Sequence, residues 1–140
     1  MPQIHAQCWG TPDAWWYDHR TQTLYVWDLK YGHLSVMASG NYQMAAYILG
    51  ILNIIKGDDA LGDNGIKIVA TIVQPRCYDG QGVFRRWELD SKVLEPYIRV
   101  MEKACTRSQT EGATVNAGRH CRDCLGRKAY DNAYDGNSDQ

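Results

Sequence analysis

The 140-residue chain has no run of about 18 consecutive apolar residues, so no stretch is long and apolar enough to cross a bilayer as a helix. Its opening, Met1-Pro2-Gln3-Ile4-His5, lacks the basic and apolar regions of a secretion signal, which points to a cytoplasmic protein with no membrane partner. An excess of charge is missing too: 15 Lys and Arg stand against 16 Asp and Glu, for a formal net charge of -1. Such a balance gives no global attraction to nucleic acid, so contact with DNA would need a local basic patch or a bound cation. The five cysteines are odd in number and are not spaced like a small secreted scaffold, which favours reduced thiols or metal ligation over bridges. What remains, 44% hydrophobic and 22% charged residues, describes one ordinary globular domain.

Ile4, Ala6 and Cys8 alternate with His5, Gln7 and Trp9, a pattern that suits a short strand ended by Gly10-Thr11-Pro12. Asp13 to Asp18 and Thr23 to Lys30 read as two further strands joined through His19-Arg20-Thr21-Gln22, a hairpin. With the turn centred between Arg20 and Thr21, paired residue numbers sum to about 41, and Asp13 faces Asp28. Two like charges across a ladder, with Cβ atoms about 5 Å apart, are destabilising unless compensated. A divalent cation is the natural compensator, because carboxylate oxygens suit Mg²⁺, which binds through one or two acids together with substrate phosphate. Lys30 lies two residues beyond Asp28 and so on the same strand face, where it could hold a phosphate or polarise water. A register shifted by one residue would instead leave both aspartates at a solvated strand end.

After a loop from His33 to Gly40, Asn41 is a suitable cap for a helix running to Lys56, with Gly57 as its stop. Met44, Ile48, Ile51, Leu52 and Ile55 form the face expected to pack on the sheet. Gln43 and Tyr47, four apart, share one edge of that helix; by themselves they read as a solvated residue and a half-buried packing residue. The acidic, glycine-rich loop at 57–65 does not have the Gly and Glu placement of a calcium-binding EF-hand. Ile66 to Val73 is a strand ended by Gln74-Pro75, and Val83 to Leu89 returns as an outer strand. Arg76, Arg85 and Arg86 could form a phosphate-facing patch or a solvated basic edge. A second amphipathic helix runs from Asp90 or Ser91 to Cys105, with Val93, Leu94, Tyr97, Ile98, Met101, Ala104 and Cys105 on one side and its regular part delayed toward Leu94 by Pro96. Residues 1–105 thus form the core, and residues 106–140 a linker, a Cys121-x-x-Cys124 segment and a polar tail expected to be disordered.

In order, Gly10-Thr11-Pro12-Asp13, Asp28-Leu29-Lys30 and Gln43-Met44-Ala45-Ala46-Tyr47 resemble the motifs of PD-(D/E)XK nucleases, the last looking like the QxxxY element of the RecB-like exonuclease branch. Gly32, Asn41 and the later Cys-x-x-Cys bring the resemblance closer to a phage and prophage group of that branch related to CRISPR-associated RecB-like exonucleases.

The resemblance, which covers about Gly10 to Cys124, implies an α/β fold: a mixed β-sheet flanked by helices, with a restriction-endonuclease-like core. It implies a Mg²⁺- or Mn²⁺-dependent deoxyribonuclease of phage or prophage origin, exonuclease-like, acting on DNA in a bacterial host. By position Asp13 and Asp28 would be the metal-binding acids, the backbone carbonyl of Leu29 a further ligand, Lys30 the catalytic lysine, and Gln43 and Tyr47 the pair that orients the substrate strand. Families of this kind begin with a helix beside the site, often bearing a glutamate or histidine. Only about a dozen residues precede Asp13, and His5 is not a convincing substitute, which leaves two alternatives: another subunit or a homo-oligomer supplies that element, or the chain is a short, reduced version of a longer protein. The alternative is a catalytically degenerate nuclease fold that binds nucleic acid or protein. An iron–sulfur cluster is not expected, since the place of a further cysteine falls on Tyr130, whereas zinc on Cys121 and Cys124, with His120 and Cys105, stays open.

Overall fold

In the computed structural model, residues 1–57, 65–114, 116, 118 and 121 are described. The chain separates into two compact units, Met1–Thr106 and Arg107–Gln140. In chain order the elements are β1 (Ala14–Asp18), β2 (Thr23–Leu29), α1 (Tyr42–Lys56), β3 (Lys67–Val73), β4 (Phe84–Asp90), a 3-10 turn (Ser91–Leu94) and α2 (Glu95–Ser108). The protein is therefore an α/β fold with a mixed four-stranded sheet and two α-helices among the described residues.

The strands lie in the order β1-β2-β3-β4. β1 and β2 are an antiparallel hairpin with Ala14 opposite Trp27 and Asp18 opposite Thr23, the expected register. Its turn is held by Asp18, whose Oδ1 accepts the Arg20 N–H at 2.9 Å and whose Oδ2 accepts the Thr21 hydroxyl at 2.9 Å. The Arg20 amide, and then the Thr21 hydroxyl, hold the Asp18 carboxyl below the usual aspartate range. β2 and β3 are parallel, so α1 is the crossover that parallel pairing demands. β4 returns antiparallel to β3 at the far edge.

Alternation then decides where the core sits. Leu24 and Val26 of β2, and Ile68, Ala70 and Ile72 of β3, are buried on one face with Met44, Ala45, Ile48, Leu49, Ile51 and Leu52 of α1. Burying each of the larger aliphatic side chains contributes roughly 1.5–3 kcal/mol, which makes this layer the main source of cohesion. α1 begins where its cap allows: the Asn41 side chain accepts the Met44 N–H at 3.1 Å, and Gly57, at φ +61°, ends it. α2 covers the β4 end of the same face through Ile98, and edge-to-face contacts of Tyr97 with Trp87 and Tyr42 tie it to both β4 and α1. Pro96 stands second in α2, within its first turn, where its missing N–H costs no helical bond.

Three expectations need correction. Ile4 to Trp9 is not a strand but a series of turns, with Ile4 N–H on the Met1 carbonyl and Cys8 N–H on the His5 carbonyl. The sheet gives it no partner; Ile4 instead enters the core, and Gln3 and Asn53 exchange two side-chain amide bonds at 2.7 and 2.9 Å. Val93 and Ala104, expected on the packed side of the second helix, are exposed. The arginine patch also dissolves. Arg85 is 5% exposed and points into the core-side layer, where it pairs with Asp79 at 2.8 Å and with Gln74 Oε1 at 3.0 Å. Arg76 lies over the Tyr31 ring and bonds the His33 imidazole. The 57–65 loop, apart from its ends, and Cys124, His120 and the polar tail lie outside the described residues.

Gln74 was read only as the end of a strand, yet its side chain is fully buried and fully used. Its Nε2 donates to the carbonyls of Gly32 and Leu34 at 2.8 and 2.7 Å, and its Oε1 accepts the Val36 N–H and the Arg85 guanidinium. It thereby fixes the path of the segment that leads from β2 to α1. Asp79 backs this hub. The Ser35 hydroxyl, then the Arg85 guanidinium and the Gln81 amide, hold its carboxyl far below the usual aspartate range. A depressed carboxylate stabilises the fold above its unfolded pKa of about 4 and loses that contribution as pH falls from there through its folded value. Asp79→Asn is therefore expected to lower the urea midpoint equally at pH 7 and pH 5, with the deficit narrowing only below about pH 4.

Candidate metal and phosphate site

At the C-terminal end of β2, alternation carries the core-facing row Leu24, Val26, Asp28 onward to Lys30, so the strand ends in an acid and a lysine directed to the side that α1 covers. Asp28 is 3% exposed. Its Oδ2 receives no aligned hydrogen bond and is met only by the Lys30 ammonium, at 2.7 Å. A carboxylate this far from water needs such a cation.

Lys30 is held from two sides. Its backbone N–H continues the parallel ladder to the Val73 carbonyl at 2.9 Å, and its Nζ donates to Gln43 Oε1 at 2.7 Å. Gln43 Nε2 then donates to the Tyr47 hydroxyl at 2.8 Å. These contacts make one polar chain, Asp28–Lys30–Gln43–Tyr47, from the end of a strand to the first turns of the crossover helix. The helical repeat puts Gln43 above Tyr47, and the Asn41 cap sets where that repeat begins.

Asp13 stands one residue before β1, where the hairpin register extended by one step sets it opposite Asp28. Its Oδ2 accepts the Leu29 N–H at 2.6 Å, which leaves Oδ1 for another partner. Leu29, expected to offer its carbonyl, thus ends β2 between the two acids. All six expected residues, Asp13, Asp28, Leu29, Lys30, Gln43 and Tyr47, come together at one end of the sheet. His5 does not join them; its Nδ1 accepts the Gln7 N–H at 3.1 Å.

The acids suit a hard cation only in a particular way. Among the described residues no group of three or more His, Cys, Asp or Glu side chains gathers. Two carboxylates, one of them buried with an oxygen lacking an aligned hydrogen bond, could serve a hard divalent cation that keeps most of its waters. They do not match a closed all-protein cage. Of the cysteines, Cys8, Cys77 and Cys121 are free thiols.

A family model described as a protein of unknown function, DUF2800, matches residues 1–137. The chain belongs to that DUF2800 family. No curated protein and no solved structure matches it.

Gly10 is the residue whose role in this DUF2800 site the sequence hid. A Cβ built on it would stand 2.9 Å from Tyr47 Cε1 and 3.4 Å from Cδ1, so the missing side chain lets the Gly10 backbone lie against the ring that ends the polar chain. Crowding of this kind costs about 1–3 kcal/mol. Gly10→Ala is expected to destabilise the protein by about 1 kcal/mol, and to do so far less in a Tyr47→Ala background; thermal melts of the two single variants and the double variant measure that coupling.

Proposed function

We propose that the protein is a Mg²⁺- or Mn²⁺-dependent DNA nuclease with a restriction-endonuclease-like core of the PD-(D/E)XK type. The observation that carries the reading is the polar chain Asp28–Lys30–Gln43–Tyr47 with Asp13 beside it. Acid, acid and lysine sit on a hairpin, and a helix-borne Gln and Tyr complete the line. The resemblance of these motifs extends the reading to exonuclease-like processing of phage or prophage DNA.

In this reading Asp13 and Asp28 are the acids that would hold the cation. The cation, when bound, supplies positive charge for the scissile phosphate and lowers the pKa of a water. Lys30, whose ammonium lies 2.7 Å from Asp28 Oδ2, would be the group that faces a phosphate oxygen or polarises a water. Gln43 keeps that ammonium in place through its Oε1, and Tyr47 fixes the Gln43 amide. Asp13 also braces Leu29, so the acid and the backbone of the strand end move as one.

A second reading, a degenerate nuclease fold that binds nucleic acid or protein, is favoured by a different observation: every charge in the site already has a protein partner. Asp28 is paired with Lys30, and Asp13 with the Leu29 amide. Calorimetric titration with Mn²⁺ separates the two, because a degenerate site gives no binding that depends on both acids. On linear and circular DNA with and without Mn²⁺, the nuclease reading expects Mn²⁺-dependent degradation that Asp13→Ala or Lys30→Ala lowers by about 100-fold or more. Unchanged rates in both variants would refute it.

A further inference from the structure

Beside Tyr47 lies a pocket of about 200 Å³ lined by Trp9, Gly10, Pro12, Trp15, Tyr47 and Ile54, among others. It carries no charged side chain. Trp9 is 84% exposed at the pocket, Trp15 is 41% exposed, and neither stacks on another ring among the described residues. Indoles exposed together beside a cleft form the kind of contiguous apolar surface that marks a binding site. The volume lies below the roughly 300–1,000 Å³ of drug-sized sites, which leaves room for a single planar heterocycle and not for a folded peptide.

What the pocket shares with the polar chain selects the heterocycle. Tyr47 presents its ring as a pocket wall and its hydroxyl to Gln43, and Pro12 adjoins Asp13. A ligand that puts phosphate at Lys30 and a flat aromatic group against Trp9, Trp15 and Tyr47 is a nucleotide within a strand. Bases in an intact duplex are stacked and cannot enter such a pocket, whereas an unpaired base can stack on indole whatever its identity. Resting on the nuclease reading above, we infer that the Trp9–Trp15–Tyr47 pocket takes an unstacked base next to the scissile phosphate, so that the substrate is single-stranded DNA or the frayed end of a duplex.

The test uses the full chain in EDTA, titrated into a single-stranded oligodeoxynucleotide containing 2-aminopurine, with fluorescence quenching as the readout. The expected result is quenching, tighter binding of the single strand than of the blunt duplex of the same sequence, and about tenfold weaker binding in Trp9→Ala. Trp9→Phe should keep most of the affinity. Trp9 is so exposed that its removal does not threaten the fold, which far-ultraviolet circular dichroism would verify. The inference is overturned if Trp9→Ala and Trp15→Ala both bind within about twofold of the unaltered chain, if the blunt duplex binds equally well, or if a strand abasic at the probe position competes as well as the normal one. The two readings fail separately. Mn²⁺-dependent cleavage with no loss in the tryptophan variants removes the pocket alone, while Trp9-dependent quenching without cleavage removes the nuclease reading and retains the pocket.

Discussion

A carboxylate that is almost wholly removed from water sets the terms for this molecule. Asp28 continues the row of Leu24 and Val26 into the layer between sheet and helix, and an isolated charge there would cost several kcal/mol after relaxation. Lys30 balances it from the same strand face, Gln43 positions Lys30 from α1, and Tyr47 positions Gln43. The strand end, the start of the helix and the path between them are therefore not independent. The helix must begin at Asn41 for Gln43 to meet the ammonium, and the intervening segment must be held to length.

The holding is done from β3. Gln74 follows directly on that strand, and its amide binds the segment at Gly32, Leu34 and Val36, with Arg85 and Asp79 completing the cluster. Since β3 pairs in parallel with β2 and Val73 receives the Lys30 amide, this inner strand and the Gln74 that follows it fix the linker from Lys30 to Val36. The site is thus supported by rigid elements on one side and by a buried polar hub on the other.

Much of this was legible in the sequence wherever the information is local and periodic. The alternation around His19–Gln22 gave the hairpin and the register observed from Ala14↔Trp27 to Asp18↔Thr23. Asn41 and Gly57 bounded the helix as caps do, and Met44, Ile48, Ile51 and Leu52 marked its buried face. Alternation failed at Ile4 to Trp9, because a strand pattern has no force without a neighbouring strand to bond. Arg85 and Gln74 were missed for another reason: a buried polar residue leaves no periodic trace, and Gln74 meets partners about 40 residues upstream that only the parallel crossover brings near. Gly10 was similar, since its close approach to Tyr47 is a tertiary contact between a turn and a helix.

The hairpin also leaves β1 as an outer strand of only five residues, with Trp15 and Trp16 both exposed on it. An aromatic strand with a free ladder edge is the kind of element on which other chains nucleate unwanted sheet. Here Asp13 and Asp18 bracket it, and each turns its carboxylate back to a local donor: the Leu29 amide at one end, the Arg20 amide and Thr21 hydroxyl at the other. Any copy docking along β1 would have to bring its own charges against two fixed acids within a very short span. The acid that braces the end of β2 thereby also guards the outer strand, so neutralising it would loosen the strand end and lower resistance to aggregation together.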